Sequence, residues 1–294
     1  MRTIVHILGM TPPEQHLREL LTIYPDGRQN DRSFGVWLVQ GDPRVPMILA
    51  CLHRLGYRQW QRQGERELSR EYDLNLIREY DPGDFEQVEY AEFWPELVDS
   101  IGDCDRDEHG FLRLERPTIK NARRAGLDFA HTILGHILVQ QRVRDLLLEG
   151  GFRHLVFQPT VLVSGRGVRP GRYTPMPWEQ FKLSGPWWEL SSDTVLPPLS
   201  PTVDLRDWRS GQPLRPADRL VRCSLREGFY NHGELHYRRS ELSKLEPFDA
   251  ALTFENFGPS HAPAYRTVVS KRFYDCCQRH GLRGRWAPVR IDAE

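Results

Sequence analysis

Lysine is scarce in this chain of 294 residues, and no run of about 18 apolar residues occurs in it. Lysine stands only at positions 120, 182, 244 and 271, so arginine supplies nearly all of the 40 basic residues, which 40 acidic residues balance. The zero net charge argues against a general nucleic-acid-binding protein. Without a long apolar run, no membrane-spanning helix is expected.

Cysteine is also infrequent, with five residues at irregular spacing. An odd number of unevenly spaced cysteines is more typical of the reducing cytosol than of a disulfide-stabilised secreted domain. The first ten residues, MRTIVHILGM, lack the basic start and the small-residue cleavage site of a signal peptide. We therefore expect a cytoplasmic protein, and the length allows one large domain or two ordinary ones.

The acidic residues are unevenly distributed along the chain. Residues 79–108 contain twelve acidic residues and one arginine, a formal charge of −11, so the remaining residues carry +11. Within this segment, apolar residues at 85, 88, 93 and 97 predict helical character for residues 85–98. Glu86, Glu89, Glu92 and Glu96 lie in this stretch and are candidate partner-binding residues.

Two stretches share one pattern of strand, helix, glycine and strand, at 137–163 and 267–291. Five residues recur at constant spacing: Val139, Arg142, Asp145, Gly151 and Arg153 correspond to Val269, Arg272, Asp275, Gly281 and Arg283. The glycine in each stretch predicts the end of the helix, since glycine readily adopts the left-handed conformation of a C-terminal cap. A looser third copy covers 34–60. Chance similarity between ordinary α/β pieces is the alternative explanation, and in either case the unit is interpreted as scaffold.

These patterns predict an α+β protein with repeated strand–helix–strand units. The expected layout is a small α/β domain of βαβαβ order over 1–62, an acidic linker or helical segment over 63–110, and a larger α+β domain over 111–294. The prolines of 175–216 argue against regular central strands there. Trp187 and Trp188 lie in this region, where they either form a recognition surface or attach an irregular segment to the sheet.

No catalytic, cofactor-binding or metal-binding residue is predicted. The D-x-D-x-D start of a calcium-binding EF-hand loop occurs at Asp103, Asp105 and Asp107. The loop also requires glycine at its sixth position and a bidentate acid at its twelfth, where this chain has Glu108 and Leu114, so a calcium site is not predicted. The histidine pairs 232/236 and 131/136 lack the order or the spacing of a metalloprotease helix. Adjacent Cys276 and Cys277 point to different faces and do not suit a shared zinc ion.

The last two thirds of the chain, over about 100–291, resemble the double-CXXCG paralogue family of myxobacteria, which overlaps with immunity proteins of polymorphic toxin systems. The resemblance lies in the order of several short motifs: Asp249, the FENFG run at 254–258, Arg272-Phe273, Gly281-Leu-Arg-Gly284 and Pro288-Val-Arg290. Two CXXCG motifs would supply four zinc-binding thiolates. This chain has only Cys104 near the first motif position and Cys223 near the second, so we expect that zinc is not retained.

The resemblance implies an immunity protein that binds and neutralises a cognate toxin. Toxins that attack nucleic acids or nucleotides tend to have basic clefts, so the acidic segment is the first candidate for the contact surface, with Trp187 and Trp188 the second. Two other functions stay open: an enzyme of a toxin system that uses His and Glu of the tryptophan-rich region, and a nucleic-acid-associated regulator that uses the arginines.

Overall fold

A computed structural model describes residues 1–10, 14–25, 28–29, 33–59, 71–95, 102–106, 109, 111–115, 128–132, 135–164, 174–175, 186–207, 213, 229–230, 233–257 and 264–293. These residues separate into two compact units, the first spanning Met1–Asp84 and the second beginning at Phe85. The α+β class predicted from the sequence is confirmed, with strands in the majority. Among the described residues, no helix is both long and apolar enough to cross a membrane.

The first unit is a five-stranded sheet packed against two helices. Its elements are β1 (Arg2–Met10), α1 (Glu14–Ile23), β2 (Arg28–Gln29), β3 (Ser33–Val39), α2 (Arg44–Arg54), β4 (Arg58–Gln59) and β5 (Glu71–Glu79). Alternate residues of β1, Val5 and Ile7, are buried in one core with Leu20 of α1 and Ile48 and Leu52 of α2. Alternate residues of the strand and the apolar residues on one side of each helix therefore pack into a single core.

The strand order of this sheet is β2-β3-β1-β5-β4, and central β1 runs antiparallel to both β3 and β5. Helix α1 connects β1 with β2, which have β3 between them, in the split βαβ arrangement, and helix α2 connects β3 with β4, which have β1 and β5 between them. The βαβαβ prediction for 1–62 missed the β2–β3 hairpin. Residues predicted as linker supply β5, which completes the sheet by pairing Ile77 with Ile4.

The second unit contains the remaining elements. After a 3-10 turn at Pro82–Phe85, they are β6 (Tyr90–Trp94), β7 (Gly102–Arg106), β8 (Leu112–Glu115), β9 (Phe129–His131), β10 (Ile137–Gln140), α3 (Gln141–Glu149), β11 (Leu155–Pro159), β12 (Val161–Ser164), β13 (Thr174–Pro175), β14 (Trp187–Ser192), β15 (Arg206–Asp207), β16 (Phe229–Tyr230), β17 (His236–Arg238), α4 (Arg239–Leu242), β18 (Ala250–Phe257), β19 (Ala264–Ser270), α5 (Lys271–Arg279), β20 (Arg285–Pro288) and β21 (Arg290–Asp292).

The helix predicted over 85–98 is wrong where the structure describes it. Tyr90–Trp94 forms strand β6, which lies between β19 and β20 in the middle of a sheet. Ala91, Glu92 and Phe93 are all buried, so the strand lacks the alternation by which a half-exposed strand is recognised. Similarly, the proline-rich region supplies β14, which lies between β10 and β11.

The recurring unit predicted from the sequence is a structural duplication. Repeat A comprises β6, β9, β10, α3, β11 and β12, and repeat B comprises β14, β18, β19, α5, β20 and β21. Helices α3 and α5 have nine residues each and begin at equivalent positions. Gly151 and Gly281 follow them with φ of 61° and 64°, as the predicted left-handed ends require. The third copy has the same local form, with Gly56 at φ 83° after α2.

The two repeats exchange their first strands. Repeat B contributes β14 to the sheet of repeat A, in the order β11-β14-β10-β9, and repeat A contributes β6 to the equivalent positions β20-β6-β19-β18. The registers agree, since Leu138 pairs with Glu189 in one sheet and Val268 with Glu92 in the other. Each sheet is therefore complete only when both halves of the unit are present.

Candidate functional site

The four glutamates predicted to face a partner lie in different environments. Glu86 is exposed, and Glu89 is exposed and forms an ion pair with Arg239 at 2.5 Å. Glu92 is only 4 % exposed, so it cannot contribute to a contact surface, and that part of the prediction is wrong. Its position in the central strand β6 buries it. Glu96 lies outside the described residues.

The two tryptophans of β14 also differ from the prediction. Trp187 is 3 % exposed and belongs to the core, because it lies on the covered face of a central strand. Trp188 is partly exposed, with the Arg144 guanidinium 4.0 Å from the centre of its ring and its Nε1 donating to Oε1 of Gln141 at 2.6 Å. Trp188 thus links α3 to its sheet, and of the two tryptophans only Trp188 reaches the surface.

Buried aspartates that pair with exposed arginines occupy equivalent positions in the two repeats. Asp128 pairs with Arg142 in repeat A, and Asp249 pairs with Arg272 in repeat B. Asp249 also accepts from the backbone N–H of Arg153 at 2.9 Å and from the Ser270 hydroxyl at 2.6 Å. A buried carboxylate needs such donors to offset the loss of hydration. These aspartates therefore anchor strands β9 and β18.

A second pair of buried carboxylates lies on the exchanged strands. In repeat A, Glu189 of β14 lies 2.9 Å from Nδ1 of His136. In repeat B, Glu92 of β6 lies 3.1 Å from the guanidinium of Arg266 and accepts from Nε1 of Trp94 at 2.6 Å. His136 and Arg266 are equivalent residues, since the backbone N–H of each donates to a buried threonine hydroxyl, Thr132 or Thr253. The duplicated carboxylates hold each exchanged strand in place.

A cluster of hydroxyl, imidazole and carboxylate groups forms around Asp292 of repeat B. The hydroxyls of Ser200 and Thr202 donate to Oδ2 of Asp292 at 2.6 and 2.9 Å, and Thr202 Oγ1 lies 3.1 Å from Nδ1 of His236. The Ser200 hydrogen bond, followed by those from Thr202 and the nearby positive charges, lowers the pKa of Asp292. Because the Ser200 proton is directed to the carboxylate, its hydroxyl is not activated as a nucleophile by the imidazole. The cluster attaches β21 to the loop at 200–202 and to β17.

The described cysteines are buried thiols. Cys51, Cys276 and Cys277 are free, and burial raises the pKa of each thiol. Cys277 occupies the position of Leu147 in repeat A, and both residues are fully buried, so Cys277 is a core residue. Cys104 belongs to β7, but its side chain and all of Cys223 lie outside the description. Among the residues described, no group of three or more His, Cys, Asp or Glu side chains is arranged to hold a metal ion.

The sequence interpretation missed an apolar sheet face in the first unit, which we call the Trp37 face. It consists of Ile4, His6 and Leu8 on β1 and of Trp37 and Val39 on β3, which the register places opposite one another. Trp37 is 38 % and Val39 is 49 % exposed, and the rings of His6 and Trp37 stack with centroids 4.5 Å apart. The signal was present in both strands, since apolar residues occupy the outward positions as well as the inward ones. An ordinary half-exposed strand has polar residues there.

Comparison with known proteins adds no relative: no protein-family model, no curated protein and no solved structure matches this chain.

Proposed function

We propose that this protein acts by binding another protein, as an immunity protein that neutralises a cognate toxin in the cytoplasm. The observation that supports binding over catalysis is how the second unit uses its buried acidic side chains. Six carboxylates are buried in its described part, and each lies against a basic side chain or accepts from a backbone N–H: Glu92, Asp128, Glu189, Glu234, Asp249 and Glu255. Groups held in this way stabilise a scaffold.

The residues that carry the family resemblance belong to this scaffold. Asp249 and Arg272 pair with each other, Phe273 is fully buried, and Gly281 ends α5. Arg290 of the terminal Pro-Val-Arg motif pairs with buried Glu234. A family that retains these residues keeps a framework and can vary the surface built on it. That division suits proteins that each recognise a different toxin.

The direct test is to co-express the chain with the product of a neighbouring secreted-toxin gene. We expect the two proteins to co-purify at a fixed ratio, and we expect the chain to restore growth of cells that produce the toxin. A chain that neither binds the toxin nor restores growth contradicts the proposal. Turnover of a toxin substrate by the purified chain alone would favour an enzyme instead.

The acidic segment supplies a test of electrostatic steering in the same complex. With Glu92 buried, the informative variant is the double change Glu86→Gln and Glu89→Gln. Its control is Glu149→Gln with Glu246→Gln, which removes the same charge from two other exposed positions. If residues 86 and 89 face a basic toxin, the first variant should associate roughly threefold more slowly at low salt, and the difference should disappear as salt screens it. Equal rates for the two variants place the contact elsewhere.

A further inference from the structure

The end of α5 and the start of β20 carry three exposed arginines, which we call the basic turn: Arg279, Arg283 and Arg285. In the part of the chain that the structure describes, no carboxylate pairs with any of them. Other arginines of the same repeat are neutralised, since Arg266 and Arg272 each pair with a buried carboxylate. The basic turn therefore presents positive charge that the described protein groups do not neutralise.

The backbone that carries these arginines is packed on the core. Gly281 adopts the left-handed conformation with φ of 64°, and Leu282 is 3 % exposed. The N–H of Leu282 donates to the carbonyl oxygen of Cys277 at 2.9 Å, and a side chain at Gly284 would collide with the ring of Phe93. Charged groups on a backbone that is already ordered lose less conformational freedom when they bind a ligand.

Comparison with repeat A shows that the fold does not require these charges. The constant spacing of the repeats places Glu149, Arg153 and Leu155 at the three equivalent positions, where one acidic and one basic residue cancel. A basic residue at a helix end complements the helix dipole, and a charge on an edge strand discourages pairing with another chain. Repeat A has the same helix end and an equivalent edge strand, β11, without either device. The three positive charges of repeat B therefore call for a separate explanation.

The chemistry of the basic turn suits a ligand with several phosphates. The planar guanidinium of arginine can donate to two oxygens of one phosphate at once. A nucleic acid has a phosphate at every nucleotide, so it supplies the neighbouring anions that three arginines need. Trp286, next to Arg285, packs against the rings of Phe93 and Tyr274, with centroids 4.5 and 5.2 Å away. Contacts to phosphates rather than to bases are therefore expected, and these carry no sequence preference.

The toxin itself is a poor candidate for this surface. The steering argument places a basic toxin cleft against Glu86 and Glu89, and a basic surface would be repelled by three unneutralised arginines. The zero net charge of the chain does not oppose a local contact with phosphates, since salt screens charges beyond about 8 Å at physiological ionic strength.

We infer that the basic turn of repeat B binds the phosphates of a nucleic acid without sequence preference. This is a second binding function, on residues that the proposed contact with a toxin does not use. It stands whether or not the chain neutralises a toxin.

The test measures binding of the full-length chain to a labelled mixed-sequence oligonucleotide, in single-stranded and in duplex form, by fluorescence anisotropy. The variant is Arg283→Gln with Arg285→Gln. Its control is Arg153→Gln with Arg238→Gln, which removes the same charge from two other exposed positions, one of them the repeat A equivalent of Arg283. At low salt, we expect the variant to bind at least about tenfold more weakly than wild type and the control to change by less than about twofold.

The dependence of binding on salt provides a second measurement. Each arginine that contacts a phosphate contributes about 1 to the slope of log K against log salt concentration, so the slope should fall by about 2 in the variant and remain unchanged in the control. Arg279→Glu, which introduces the residue of repeat A, should also weaken binding. Thermal midpoints establish that each variant is folded.

Several outcomes would overturn the inference. They are a wild-type chain that binds neither form of the oligonucleotide at low salt, and equal losses in the variant and the control. Binding of polyglutamate as tightly as the oligonucleotide would assign the basic turn to an acidic protein segment instead. A strong preference for one oligonucleotide sequence would show that bases, rather than phosphates, are recognised.

Discussion

Repeats A and B of the second unit have the same backbone arrangement but different side chains at its polar anchors. Asp128 and Asp249 are equivalent and both are paired with an arginine. In contrast, Glu189 meets a histidine where Glu92 meets an arginine. The comparison teaches that buried carboxylates hold the strands at equivalent positions in both repeats, whereas the side chain that pairs with a carboxylate can differ between the repeats.

The helix starts and the closing strands show a similar difference. Ser270 caps α5 by accepting from the backbone N–H of Phe273 at 3.1 Å, whereas Gln140 at the start of α3 makes no side-chain cap. The last strand of repeat B carries Asp292, and the equivalent position of repeat A holds the buried Val163. Repeat B is therefore held by more polar contacts than repeat A, and its anchors are the more informative sites to change.

The largest expected effect comes from removing the aspartate anchors. Asp249→Ala leaves the Ser270 hydroxyl, the Arg153 N–H and Arg272 without their shared acceptor, so the free energy of unfolding should fall by about 3 kcal/mol. Asp128→Ala should cost about half as much, because the hydroxyl and backbone N–H donors of Asp249 have no counterpart among the described contacts of Asp128, which pairs with Arg142. Urea denaturation of both variants measures the difference. Equal losses would contradict the asymmetry between the repeats.

Exchanging the basic side chains that face the two buried glutamates should have the next largest effect. Arg266→His should lower the free energy of unfolding by about 2 kcal/mol near pH 8, because a neutral imidazole leaves the buried Glu92 without a full positive charge. The loss should be smaller near pH 5.5, where a protonated imidazole supplies that charge. The reverse change, His136→Arg, should cost less than about 0.5 kcal/mol, since repeat B accommodates arginine at this position. A larger loss for His136→Arg than for Arg266→His would show that the two sites are not equivalent.

The glycines after the helices should respond alike in both repeats. Gly281→Val and Gly151→Val each place a β-branched residue at positive φ, which should lower the free energy of unfolding by about 1–2 kcal/mol. Gly83→Val is the control, because no positive φ is found there and the space around it is open. Thermal unfolding of the three variants compares them, and an unchanged midpoint for Gly281→Val would contradict the left-handed helix end.

The smallest expected effect concerns how the stability of the protein depends on pH. The pKa of Asp292 is lowered in the folded state, chiefly by the Ser200 hydroxyl, so its ionised form stabilises the protein above the ordinary carboxyl pKa. That contribution is lost as the pH falls through the lowered folded-state pKa. Asp292→Asn should therefore reduce stability at neutral pH and make it less dependent on pH below about 4. Denaturation curves at several pH values measure this, and an unaltered pH dependence would exclude Asp292 as an acid-sensitive anchor.

Local elements were the part of the fold that could be predicted. The apolar residues Phe273, Cys276 and Cys277 stand at helical spacing and Gly281 follows them, so helix α5 and its end can both be read within one short window of sequence. Strand β6 was misassigned as helix because a central strand is buried on both faces and loses its period of two. The candidate contact residues were chosen by charge and residue type alone. That choice could not distinguish exposed Glu86 from buried Glu92.

The sequence by itself determined the α+β class and the recurring strand–helix–glycine–strand unit, since backbone propensity and side-chain spacing act over a few residues. Tertiary structure alone decided that the repeats exchange β6 and β14, and that Glu92 and Trp187 are buried. It also decided that Trp37 and Val39 lie together with His6 on one exposed sheet face. Pairing between distant strands depends on which partners complete a common core, and no short stretch of sequence contains that information.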